Sequence, residues 1–282
     1  MCAAPKAKRT ESGLLIGQHS SAASVTWRPD EPNADQFTIS AFEYTDDPST
    51  SMTLAAVAHG LPGASTSRPD VVAKLVIDTL VECFEQVPLL DVVLLLDTAF
   101  HRASARIVEL HKTASVVCSG AVITTGKLYV ASCGNCRIVL VRDGHAVQVA
   151  VAHAMADMLV EKGHVTWEDL KNRPGDPPPA MAALGQYAQE PLADQRLILD
   201  DGTANRQVLG IQPLPLLPND RIVLLSYERF GNWHLPDILN DIEAYFSDLD
   251  LSPQETVDRF VNYICKRGNL WDLTVLLLQI PS

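Results

Sequence analysis

KLYVASCGNCRIVLVRDG, residues 127–144, is the stretch on which the reading of the fold turns. Two short runs, apolar or alternating, flank a glycine-containing break at Gly134, and Asp143-Gly144 is a dipeptide suited to a two-residue hairpin turn. SVVCSGAVIT (115–124) precedes it and HAVQVAV (145–151) follows it, so the centre of the chain reads as a β-meander. Outward in both directions the periodicity changes. RPDVVAKLVIDTLVECFEQV (68–87) and LLDVVLLLDTAFHRASARIVELHK (89–112) carry apolar residues at helical spacing, with Pro69 and Asp70 placed to open the first. MTLAAVAHG (52–60), DRIVLLS (220–226) and LTVLLLQI (273–280) read as buried strands, and FTISAFEY (37–44) is strand-like. HAMADMLVEKGHVTWEDLKNRP (153–174) predicts two short helices, the first ended by Gly163 and the second opened by Thr166 with Asp169. RPGDPPP (173–179) is a rigid loop. LPDILNDIEAYF and SPQETVDRFVNYICKRG are helices, the latter capped by Ser252. Strands cluster with strands and helices with helices, which argues for α+β layers rather than a doubly wound sheet.

Composition bounds the function. The 282 residues are 47% apolar and carry a net charge of −12, with no basic stripe for nucleic acid. No apolar run approaches the ~18 residues that span a bilayer, and GLLIG (13–17) is too short for a secretory h-region. Residues 1–24 are therefore expected to be a flexible N-terminal tail, residues 25–282 one domain, and the protein cytoplasmic, without a membrane partner. Six cysteines without framework spacing are expected to be reduced thiols.

The order of segments resembles the PPM-type, metal-dependent serine/threonine protein phosphatases in their bacterial single-domain form. NADQFTI (33–39) is similar to the family's N-E-D-x-F, VAHGLPG (57–63) to V-A-D-G-M-G-G, and KLYVASCGNCRIVLVRDG to L-x-V-A-x-V-G-D-S-R-x-x-L-x-R-D-G. AHAMADMLVEKGHVTWEDLKNRP (152–174) resembles the D-H-S segment and AALG (182–185) the following R-A-L-G. PNDRIVLLSYERF (218–230) resembles P-G-D-x-x-L-L-x-S-D-G-L, and LWDLTVLLLQI (270–280) the closing D-N-x-T-V strand. The resemblance implies a four-layer α-β-β-α sandwich of two antiparallel sheets flanked by helices, with residues of about 153–180 as a flap-like segment beside the site.

It also implies chemistry, and there the sequence departs from the pattern. Family enzymes hydrolyse phosphoserine and phosphothreonine with two Mn²⁺ or Mg²⁺ ions, hard cations that demand several carboxylates. The bridging Asp position falls on His59, with Gly60 kept beside it. The other acidic positions fall on Ala34, Asn135, Ala152, Tyr227 and Trp271, and the phosphate-binding Arg position on Asp30, near Arg28. Asp35 alone matches. Asp272 sits one place from the closing Asp, where a one-residue slip is expected to face it the other way. The expectation is a site that holds no metal and no catalytic residue, with Tyr227 and Trp271 filling its space and Asp35 serving as a turn or capping carboxylate. The protein then acts by binding, its partner a Ser/Thr kinase, a phosphatase or a phosphoprotein.

Alternatives stay open. Asp35, Asp272, Gly60 and His59 would make a weak or altered one-metal enzyme. His59, Cys133, Cys136 and His153 have the chemistry of a Zn²⁺ set, against which Cys133 occupies an apolar family position and reads as core. A redox role for the CxxC lacks the helix N-terminus that such motifs use. Cys118 lacks a phosphate-cradling loop and reads as core. Tyr227, Trp271 and Trp233 form either an aromatic recognition pocket or a plug.

Overall fold

The structure is a computed structural model that describes residues 7–10, 19–26, 30–44, 47–61, 68–86, 91–150, 152–171, 183–185, 213–226, 234–267 and 272–282. Its strands are β1 (Ala7–Thr10), β2 (Ser20–Val25), β3 (Asp35–Tyr44), β4 (Asp47–Leu61), β5 (Ser115–Thr124), β6 (Lys127–Cys133), β7 (Arg137–Arg142), β8 (His145–Gln148), β9 (Leu214–Pro215), β10 (Arg221–Leu225) and β11 (Leu273–Gln279). Its helices are α1 (Pro69–Gln86), α2 (Val92–His111), α3 (Met155–Glu161), α4 (Trp167–Lys171), α5 (Leu235–Phe246) and α6 (Pro253–Lys266). Two antiparallel sheets form, in the orders β1-β3-β4-β5-β6-β9 and β2-β11-β10-β7-β8. The four-layer sandwich expected from the resemblance is the observed one.

Strand alternation assigns every layer. On β4, Leu54, Ala56 and Ala58 pack toward α1 and α2, whereas Ala55 and Val57 face the second sheet. On β10 and β11, Ile222, Leu224, Leu276 and Leu278 face the first sheet, and Val223, Leu225, Val275 and Leu277 face α5 and α6. The uninterrupted apolar character of these strands follows, since both faces are covered.

Two expectations require correction. The boundary at residue 25 falls inside a strand: Ser20–Val25 pairs with β11, and Ala7–Thr10 pairs with β3. Backbone pairing with a strand that already exists orders these residues despite their polar composition. The expected single meander is also split. β5 and β6 pair in one sheet and β7 and β8 in the other, because Gly134, with φ of +97°, turns the chain across the sandwich.

Local signals hold well. Ser252 and Glu255 form a complete capping box on α6, and Thr166 exchanges hydrogen bonds with Asp169 at the start of α4. Asp143 and Gly144 both take positive φ in the β7–β8 hairpin. Of the flap-like segment, α3 and α4 are described, while residues 172–180 lie outside the described residues. α3 is fixed to the second sheet by a buried fork: the Arg137 guanidinium donates to both Asp157 oxygens at 2.7 and 3.0 Å, with both side chains at most 3% exposed.

Candidate functional site

The ends of five strands meet at one edge of the sandwich interior. Asp35 opens β3 and stands in register opposite His59 on β4. Alternation turns both inward, and both are buried, at 3% and 5% exposure. From the second sheet, Ser226 at the end of β10 and Thr274 on β11 point inward by the same alternation, each fully buried.

The Asp35 carboxylate joins them. Oδ1 lies 2.7 Å from His59 Nδ1, and Oδ2 accepts from Ser226 Oγ at 2.7 Å. Ser226 Oγ in turn accepts from the Thr274 backbone N–H at 2.9 Å. Thr274 Oγ1 is 2.6 Å from Ser24 Oγ, which accepts from Asn33 Nδ2, and Asn33 Oδ1 accepts from the Asp35 backbone N–H. The hydrogen bonds close a ring through both sheets. Asp272 adds a second crossing: its carboxylate accepts from Ala34 N at 2.7 Å and Thr26 Oγ1 at 2.9 Å. It shares the alternation of Thr274, so the expectation that it faces away is corrected. Asp35 is likewise no turn or cap carboxylate but the hub of a buried inter-sheet network.

Gly60 is explained by packing. A Cβ there would lie 2.1 Å from the Pro69 carbonyl oxygen, because the end of β4 abuts the start of α1. That close approach demands glycine whether or not its carbonyl ever meets an ion.

The cysteines separate. Cys118 stands opposite Cys133 across β5 and β6, and both pack toward α1 and α2. Cys136 faces the inter-sheet core. Burial pushes the Cys133 thiol up to about 12, and burial, then the neighbouring Cys118, Asp35 and Cys133, pushes Cys136 well above the ordinary range. Burial also raises Cys118. Cys133 and Cys136 belong to different cores on either side of the first sheet. His153 is used otherwise, its Nδ1 accepting from the Gly134 N–H at 3.3 Å while its backbone N–H donates to the Gly134 carbonyl at 2.7 Å. The structure thus does not assemble His59, Cys133, Cys136 and His153 as a zinc set.

Among the described residues no group of three or more His, Cys, Asp or Glu is arranged to hold a metal ion. Among the described residues the donor set at this edge does not fit a two-metal centre. Both oxygens of Asp35 are engaged by a histidine and a hydroxyl, and Asn135, buried at 3% exposure, offers a neutral amide. Asn135 Oδ1 and the nearby strand residue Ser132 Oγ are buried without a hydrogen-bond partner among the described residues. Tyr227, Trp233, Trp271 and Arg28 lie outside the described residues. Ala152 is buried and Asp30 exposed. Sequence reading missed Ser24, Asn33, Ser226 and Thr274. For Ser226 and Thr274 the available signal was alternation, which turns a small polar residue inward at the end of an otherwise apolar strand; Ser24 and Asn33 carried no such signal.

The fold is that of the PPM-type serine/threonine phosphatases. Neither a protein-family model nor a curated protein matches the chain in sequence. Solved structures do. The S. agalactiae serine/threonine phosphatase aligns at 17% identity with a TM-score of 0.68, over 93% of this chain and 98% of that one. The catalytic domain of the serine/threonine phosphatase PstP, solved with two manganese ions, aligns at 20% identity and TM-score 0.66 over 93% and 98%. Stp1 from Staphylococcus aureus aligns at 15% and 0.68 over 96% and 98%. At these identities the likeness establishes the shared fold.

Proposed function

We propose that the chain is a catalytically inactive phosphatase-like protein, a pseudophosphatase, that acts as a binding or regulatory module in Ser/Thr phosphorylation signalling. The observation that carries this reading is the engagement of Asp35 by His59 and Ser226. A metal-bridging edge leaves carboxylate oxygens free for hard cations. Here a network of hydrogen bonds does the work of joining the two sheets. Its partner is a protein, a kinase, a phosphatase or a phosphoprotein segment, held by occupancy or competition without cleavage. Among the described residues no helix is long and apolar enough to cross a membrane, and the free cysteines at 83, 118, 133, 136 and 265 suit a reducing compartment, so we place its work in the cytoplasm.

Purified full chain is titrated calorimetrically with Mn²⁺, Mg²⁺ and Zn²⁺, and hydrolysis of p-nitrophenyl phosphate is followed in added Mn²⁺. The expected result is neither binding heat nor chelator-sensitive turnover. Stoichiometric Mn²⁺ or Mg²⁺ binding with turnover that chelation abolishes would overturn the reading in favour of a metal-altered phosphatase acting on phosphoserine or phosphothreonine. Tight Zn²⁺ binding lost on replacing Cys133 and Cys136 by serine would revive the zinc set instead.

A further inference from the structure

The opposite end of the sandwich carries a second feature. From Arg221, the first residue of β10, to Ser226 just past its end is about 17 Å at ~3.3 Å per residue, so the start of the strand lies far from the polar edge. Around it the β7–β8 hairpin, the turn before β10 and the end of α5 enclose a cavity of about 240 Å³, with Val141 and Phe246 at its base and Leu217 and Leu249 at its mouth. The two leucines are 47% and 48% exposed. A broader depression of about 650 Å³ adjoins it through Gly144 and Ser247, walled by Glu243 and Asp248.

The walls are held in place before anything binds. Arg142 forks onto Asp220 at 2.9 and 2.7 Å and donates to the Pro215 carbonyl. Asp220 also accepts from the Leu217 N–H, and Ser247 Oγ donates to the Gly144 carbonyl. A fixed wall lowers the ordering cost of binding. The charge balance of the rim is negative. Arg142 is neutralised by Asp220, and Arg221 is buried with its guanidinium turned to the carbonyls of Phe246, Asp248 and Leu251. Asp143 and Asp248 remain exposed, with Glu243 half-buried beside His145.

We propose that this groove docks a peptide segment of a partner protein that presents one large apolar side chain flanked by lysine or arginine. The apolar residue enters between Leu217 and Leu249, and the cations meet Asp143, Glu243 and Asp248. The site is separate from the Asp35 edge and stands whether or not that edge is catalytically dead.

The test is selection of a displayed random dodecapeptide library on the full chain, followed by affinity measurement on synthetic copies of the selected peptides. Selected sequences are expected to carry a Leu, Ile, Phe or Trp beside Lys or Arg. Their affinity should fall at least tenfold for Leu249→Asp and for Leu217→Asp, and weaken for Asp143→Lys with Asp248→Lys, while thermal unfolding of these surface variants stays unchanged. A variant that fails to fold is replaced by Leu249→Ser, read in the same way. No enrichment, enrichment of acidic peptides, or peptides that bind the variants equally would overturn the proposal. So would a concentration-dependent dimer in sedimentation that Leu249→Asp abolishes, which would assign the groove to a second copy of this chain.

Discussion

Replacing Asp35 by alanine separates a structural clasp from a vacated metal ligand, because the two predict stability changes of opposite sign. In the observed network the substitution removes the acceptor of both His59 Nδ1 and Ser226 Oγ, in a place where neither His59 nor Ser226 is more than 5% exposed. A buried polar group stripped of its partner costs ~1–3 kcal/mol, and two are stripped here. Relief from burying the carboxylate offsets part of that cost. The net expectation is a loss of about 3 kcal/mol, which at an m-value of ~3 kcal/mol/M is a fall of about 1 M in the urea midpoint. Asp35→Asn keeps one acceptor but turns an NH₂ toward the other donor, so about half the loss is expected. Had Asp35 been held free for an ion, its removal from metal-free protein would relieve an uncompensated buried charge and stabilise the fold. Urea unfolding in chelator, followed by far-ultraviolet circular dichroism, reads the difference. A variant as stable as the parent, or more so, refutes the clasp. Asp35→Ala combined with Ser226→Ala should cost less than the sum of the two alone, since they share one bond.

Three further outcomes follow from the same geometry. Gly60→Ala should cost ~1–3 kcal/mol or more, because the added Cβ meets backbone at Pro69 rather than a movable side chain; differential scanning calorimetry checks it. Breaking one partner of the Arg137–Asp157 pair with Asp157→Ala should cost ~3–5 kcal/mol and open residues 155–171 to deuterium exchange ahead of the sheets, whereas uniform exchange would show that the fork does not fix α3. Native protein at pH 8 should alkylate at exposed Cys265 and not at Cys118, Cys133 or Cys136, as mapped by mass spectrometry. The alkaline limb of stability has the same origin. The Cys133 pKa is raised to about 12 from an ordinary 9.0, so the unfolded chain ionises first. The contribution is full below pH 9.0 and is lost as pH rises toward 12; replacing Cys133 by alanine should flatten that limb in pH-dependent unfolding.

What could be read in advance and what could not divides by sequence distance. Helix starts at Pro69 and Ser252, the Asp143-Gly144 hairpin and the two-faced apolar strands depend on neighbours a few residues apart, and each was legible. The separation of Cys133 from Cys136 was not legible: it depends on Gly134 turning the chain from one sheet to the other, where a single meander was expected. The network at the polar edge was not legible. Asp35 and Ser226 are 191 residues apart, and only the stacking of one sheet on the other brings them within 2.7 Å. Nor could motif comparison alone say which residues join the sheets around Asp35. An interior edge where two sheets meet contains strand-end polar groups that must be satisfied. The chain meets that demand with Ser24, Asn33, Ser226, Thr274 and His59, five unremarkable residues gathered around one retained aspartate. Asp35 thus has a structural role that the sequence alone did not show.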